Sequence, residues 1–93
     1  MTWDNAKITQ AFIGIENHGI FAWSLTFSGS GWGQGNGMRA LGAQSLPTIE
    51  AIVRHFGPWN ELEGTLVRVG REKFNGPIVA IRDIMDDEKE VVF

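Results

Sequence analysis

Residues 20–28 read IFAWSLTFS, with a large apolar side chain at every second position. Phe21, Trp23, Leu25 and Phe27 share one face of this segment, and Ala22, Ser24, Thr26 and Ser28 share the other. A period of two is the repeat of a β-strand, so the first face has to be buried against another layer. Upstream, residues 6–15 alternate more loosely, with Ile8, Gln10, Phe12 and Gly14 set against Thr9, Ala11, Ile13 and Ile15. That pattern predicts a strand at least partly covered on both faces. Between the two lies Glu16-Asn17-His18-Gly19, whose Asn and Gly tolerate positive φ and predict a tight hairpin turn.

The hairpin needs a covering layer, and residues 48–56 supply the matching helix. Ile49, Ile52, Val53 and Phe56 fall at helical spacing on one stripe. Ser45 or Thr48 can cap this helix, Pro47 suits its first turn, and Gly57-Pro58 ends it. The expected core sets Phe21, Trp23, Leu25 and Phe27 against that stripe. Met38–Leu41 is expected to be a short extended segment, and Trp59–Gly64 a turn or a single helical turn. Residues 65–69 and 77–84 read as a third and a fourth strand, joined through the turn dipeptide Asn75-Gly76. The fold class is therefore α+β: an antiparallel sheet of four to five strands with one helix, about 48–56, packed on one face. Residues 1–93 form a single domain, with a glycine-rich loop at 29–37 and an acidic C-terminal segment at 86–93.

With 43% hydrophobic and 20% charged residues, the chain has the composition of an ordinary globular domain. It has no cysteine, which excludes disulfides, thiolate nucleophiles and cysteine-ligated metals. The net charge of −3 argues against direct nucleic-acid binding, because phosphate contacts call for a basic excess. The N-terminal Met-Thr-Trp-Asp lacks the features of a signal peptide, and no stretch approaches the ~18 apolar residues of a membrane span. A cytoplasmic protein with no membrane partner is the expectation. Phe74, Val91, Val92 and Phe93 exceed what four strands and a short helix can cover, which points to a homodimer or higher homo-oligomer.

Residues 29–37 read GSGWGQGNG, with glycine at every odd position. Five glycines lose much backbone entropy on ordering, so the tract either stays mobile or is ordered by something that approaches its backbone. Its amides can form a nest for a phosphate or carboxylate, with Arg39 as a charged fork. A plain hairpin connection and a strand induced by a partner remain open beside that. The candidate ligand-binding residues are Ser28, Ser30, Gly31, Trp32, Gly33, Gln34, Gly35, Asn36 and Arg39, with His18 added from the first turn. Trp32 either stacks on a base or anchors an interface, or else folds back onto the core beside Trp23. No Walker loop, dinucleotide fingerprint, calcium loop or nucleophile elbow occurs, and Glu16/His18 is the lone acid–base pair. No catalytic residue, metal or cofactor is therefore expected. Asp83, Asp86, Asp87, Glu88 and Glu90 read as a solvated acidic tail, with calcium binding or nucleic-acid mimicry as the sharper alternatives.

Residues 8–42, ITQAFIGIENHGIFAWSLTFSGSGWGQGNGMRALG, resemble a family of small proteins encoded by bacteriophages and prophages. The family pattern is a strand ending in Gly-Ile-Glu-Asp-His-Gly, a second strand, then Gly-Ser-Gly-Gln-Gly. Trp59, Leu62, Glu63, Gly64 and Val67-Arg68-Val69 are similar to it downstream. Asn17 stands where aspartate is expected, and Trp32-Gly33 sits in the tract as an insertion. The family carries no established activity; a phage origin favours, by analogy, a non-enzymatic binding protein directed against host defence, and the tract with Arg39 and Trp32 suits sequestration of a nucleotide-like anionic ligand. The alternative is an inhibitor that binds a host defence or CRISPR protein through an acidic surface or a sheet edge.

Overall fold

The computed structural model describes residues 1–93. Its strands are β1 (Thr2–Ile15), β2 (Phe21–Gly29), β3 (Trp32–Gly35), β4 (Arg39–Ala40), β5 (Leu66–Arg71), β6 (Ile78–Asp83) and β7 (Glu90–Val92). One helix, α1, spans Leu46–Phe56, and a single 3-10 turn covers Trp59–Glu61. All strands join one antiparallel sheet in the order β3-β2-β1-β5-β6-β7, with β4 also paired to β2. The α+β class holds, with seven strands where four to five were expected. The additions are β3, cut from the glycine tract, and β7, cut from the tail. No helix is long and apolar enough to cross a membrane.

The long strand β1 organises the sheet. Thr2–Lys7 pairs with Leu66–Arg71, and Lys7–Ile15 pairs with Phe21–Ser28, so β1 changes partner at Lys7. A register shift between Ile8 and Gln10 places an extra residue there, and such a bulge bends a strand and increases its twist. The sheet consequently curls. β3 lies three strands from β5 in sheet order, yet Gln34 Nε2 on β3 donates to Gly76 O after β5 at 3.2 Å.

The core fills the curl. Ile8, Trp23, Leu25, Phe27, Val67, Val69, Ile78, Ile81 and Val91 come from the sheet, Ile52 from the helix and Leu62 from the segment after it. Trp23 sits at the centre, meeting Trp59 and Phe93 edge-on at ring separations of 6.2 Å and 5.9 Å. The expected sheet–helix contact is present but narrower. Ile52 is fully buried, Ile49 and Phe56 are half-buried, and Val53 is exposed. Phe21 lies beyond the helix and is also exposed. The apolar C-terminus is used within the chain: Val91 is buried, and Phe93 packs on the core while its N–H bonds Val79 O at 2.9 Å. Of the surplus that pointed to a dimer, only Phe74 and Val92 remain exposed.

Helix α1 starts two residues before the expected boundary, with Pro47 in its first turn. Ser45 makes no side-chain cap. Its hydroxyl donates to Ala40 O at 2.8 Å and accepts from Gly42 N–H at 3.1 Å, which ties the helix entry to β4. Gly57 ends the helix at φ 115°, its N–H returning to Val53 O.

Candidate functional site

The glycine tract is a strand. Trp32–Gly35 runs antiparallel to Thr26–Gly29, turning at Ser30-Gly31, where Gly31 has φ 78°. Ladder pairing with β2 compensates for the ordering that the glycines resist, so a ligand is not needed for it. Asn36 extends the pairing past the strand end. Its N–H donates to Leu25 O at 3.0 Å, and its side-chain Oδ1 accepts from Leu25 N–H at 3.0 Å. Asn36 is buried, its Nδ2 has no hydrogen-bond partner, and it does not line the cavity between the tract and the β5–β6 turn.

Glycine spacing also decides which way the tract faces. Trp32 lies across its cross-strand partner Gly29, where a Cβ would come within 2.2 Å of indole Cε2. Arg71 covers the other side of the ring, with its guanidinium carbon 4.5 Å from the centroid. Trp32 is thus held between backbone and cation, packed on the edge of the core and away from Trp23's own aromatic partners.

Arg71 is the hub of this corner. It is only 6% exposed, and it continues the inward face of β5 after Val67 and Val69. Nη1 donates to Asp4 Oδ2 at 2.9 Å, while Nε and Nη2 donate to Gln34 Oε1 at 3.3 Å and 2.9 Å. Three of the five guanidinium N–H groups are so engaged, which leaves two without a protein partner. Gln34 also reaches Gly76 O, and Asn75 beside it has φ 61°, a left-handed conformation that Asn accepts readily.

These groups enclose a cavity of about 300 Å³. Ser30, Trp32 and Gln34 line it from the tract, Thr2 and Asp4 from β1, Arg71 from β5, and Phe74 and Asn75 from the β5–β6 turn. Phe74 stands at its rim, 86% exposed. The lining offers both hydrogen-bond donors and acceptors, flat aromatic surface and a closely balanced charge pair. It contains no nucleophile paired with a base, and the chain has no cluster of three metal-ligating side chains.

The remaining candidates lie elsewhere. Ser28 belongs to a shallow depression with Asn5, Lys7 and Leu66. Gly33 and Gly35 shape the strand without lining the cavity. Arg39 donates from Nε to Asn36 O at 3.3 Å and lies over the Phe93 ring, beside a separate cavity of about 180 Å³. It meets the tract only at its end and does not line the cavity beside Trp32 and Gln34. His18 is at the far end of the hairpin, where Glu16 Oε1 accepts from His18 N–H at 2.7 Å and Ile20 N–H at 3.1 Å. His18 Nδ1 lies 2.9 Å from Glu16 Oε2. The His18 ring and these two amides hold the Glu16 carboxyl below its ordinary value. The pair therefore locks a turn and has no third group with which to do acid–base work.

The acidic tail is internally matched. Asp83 Oδ1 accepts from the Met85 and Asp86 amides, Arg68 pairs with Asp87, and Arg82 pairs with Glu90. The Arg68 guanidinium lowers the pKa of Asp87 by hydrogen bond and by charge.

Sequence reasoning missed Arg71, Asp4, Phe74, Thr2 and Asn75. One signal for Arg71 was available, since it falls on the same parity as Val67 and Val69. Asp4 and Thr2 carried none, because their closeness to the tract depends on the curl of the sheet. No protein-family model, curated protein sequence or solved structure matches the chain.

Proposed function

We propose that the chain is a non-enzymatic binding protein that holds a nucleotide-like ligand in the cavity between the glycine-tract strand and the β5–β6 turn. The observation that carries this is the convergence of Ser30, Trp32 and Gln34 with Arg71, Asp4 and Phe74 on one cavity of about 300 Å³. A planar base fits against Phe74 and the exposed edge of Trp32, where stacking contributes ~1–3 kcal/mol per base. The Asp4 carboxylate accepts from a base amino group or a ribose hydroxyl. The two free guanidinium N–H groups of Arg71 and the side chains of Ser30 and Asn75 donate to an anionic oxygen. The amides of Trp32, Gln34 and Asn36 bond to β2, and Gly33 and Gly35, whose amides turn to the free edge of β3, do not line the cavity, so the scheme rests on side chains. In a protein of phage origin, as the resemblance implies, such capture withdraws a signalling nucleotide from host defence in the cytoplasm.

The test is calorimetry with the mono-, di- and cyclic phosphates of adenosine and guanosine. At least one should bind, and Phe74→Ala should weaken it tenfold or more without changing the fold, because Phe74 has almost no packing to lose. The 260/280 nm absorbance ratio of the freshly purified protein gives a second readout. Absence of binding at millimolar concentration, together with a ratio typical of bare protein, sinks the proposal.

A further inference from the structure

The second half of β1 has a free edge. Pairing with β5 stops at Lys7↔Leu66, and the last backbone bonds on that side join Ile8 to Gly64 and Thr65. Beyond Ile8, β1 is bonded only to β2. The hairpin closes with Glu16 N–H on Ile20 O, and antiparallel pairs alternate between bonded and non-bonded. Gln10, Phe12 and Gly14 thus turn their backbone groups toward β2, and Ala11, Ile13 and Ile15 turn theirs outward. The opposite strand agrees: Leu25 O and Phe21 O, facing Ala11 and Ile15, accept from Asn36 and Leu41 on the far side of β2. No backbone bond outside the strands reaches Ala11, Ile13 or Ile15.

Natural edges are usually blunted by charges or proline. This one carries neither from Ile8 to Ile15. Its inward-facing side chains run past the cover of the helix, leaving Ile13 41% and Ile15 64% exposed, with Phe21 49% exposed opposite Ile15. Bare backbone donors and acceptors thus sit beside unfilled apolar surface.

We infer that this edge pairs with the same edge of a second copy, antiparallel about a two-fold axis at Ile13. In that register Ile13 opposes Ile13 of the second copy, and Ala11 opposes Ile15. All three residues face outward, so their pairs can exchange six N–H···O bonds. Side chains keep their faces, because opposed positions have the same parity. Phe12 falls opposite Gly14, where an aromatic ring has room. The charges also select a copy of this chain over a charged partner. Glu16 opposes the uncharged Gln10, Lys7 lies outside the paired span, and no like charges meet. Ile13 and Ile15, exposed on the inward face, supply the apolar surface beside the seam. One pair of strands with this apolar flank makes a small contact, so the association is weak and shows at high concentration. The ligand cavity lies at Thr2 and Asp4, at the other end of β1, and stays open in both copies.

Sedimentation equilibrium from micromolar to hundreds of micromolar concentration tests the pairing. The native chain should approach twice its 10.3 kDa mass. Ile13→Lys, at an exposed side chain, should raise the dissociation constant at least tenfold while keeping the native circular dichroism. Ile13→Pro should do the same, because it removes an outward N–H and leaves the β2 ladder whole. Since the chain has no cysteine, single substitutions read the register directly. Ile13→Cys should form an oxidised dimer readily, and Ile15→Cys should not, because Ile15 faces Ala11 rather than itself. A monomer throughout the concentration range overturns the inference. So does a dimer unaffected by Ile13→Lys and Ile13→Pro, or one that Ile15→Cys crosslinks as well as Ile13→Cys.

Discussion

Replacing Arg71 by methionine keeps much of the buried stem and deletes the guanidinium. Three hydrogen bonds go with it, two to Gln34 Oε1 and one to Asp4. Asp4 is largely exposed and can turn to water, so its share is about 0–1 kcal/mol. Gln34 Oε1 is part-buried and loses all of its donors, at about 1–3 kcal/mol. Loss of the cation over Trp32 adds about 1 kcal/mol. Arg71→Met should therefore cost about 2–5 kcal/mol in urea unfolding, a large fraction of the stability of a domain this size. The partner variant distinguishes the cause. Gln34→Leu removes the stranded acceptor, so the double variant should be less destabilised than the two single effects predict, by about 1–2 kcal/mol. A cost below about 0.5 kcal/mol for Arg71→Met, or strict additivity in the double variant, would show that Arg71 does not hold β3 to β5.

Ile52→Ala should cost about 2–5 kcal/mol, because Ile52 is the one fully buried residue of the helix, whereas exposed Val53→Ala should cost under about 1 kcal/mol; denaturant midpoints check both. Gly29→Val should displace the Trp32 indole, which occupies the space of a Cβ there, and so red-shift tryptophan emission and lower the melting temperature. The hairpin tip should depend on pH through Glu16. A carboxyl whose pKa is lowered by folding stabilises the folded form above its ordinary value near 4.5, and that stability is lost as pH falls through the lowered value. Amide shifts of His18 and Ile20 should then titrate with a midpoint below 4.5, and a midpoint at or above it refutes the turn lock.

The parts of the fold legible in the sequence are those where local preference and burial agree. Trp23, Leu25 and Phe27 alternate because one face of β2 is core, and Ile49, Ile52 and Phe56 are spaced by the helix that covers it. Pro47, Gly57 and Asn75-Gly76 mark real boundaries because their backbone preferences coincide with the turns they occupy. Strand β3 was obscured because glycine has low strand propensity, although the same spacing put Ser30, Trp32, Gln34 and Asn36 on one face at a period of two. That periodicity was a strand signal written in absences. Arg39, close to the tract in sequence, bonds only its end at Asn36 O, while Arg71, 37 residues from Gln34, is the arginine that lines the cavity with it. Only the change of partner within β1 brings these residues together, and no local pattern encodes a bend of that kind. Val91 and Phe93 illustrate the same limit. Apolar residues beyond a charged run look surplus until a seventh strand gives them a core to face.

The central claim is that the tract strand, Arg71 and the β5–β6 turn form one ligand cavity, and amide chemical-shift mapping tests it most directly. With the tightest nucleotide of the panel added to ¹⁵N-labelled protein, shifts should concentrate at Ser30–Gln34, the Trp32 indole N–H, Arg71 Nε and Phe74–Gly76. His18 and Arg39, which face other parts of the surface, should remain unmoved. Shifts centred on Arg39 or His18, with Trp32 and Arg71 unchanged, would contradict the account.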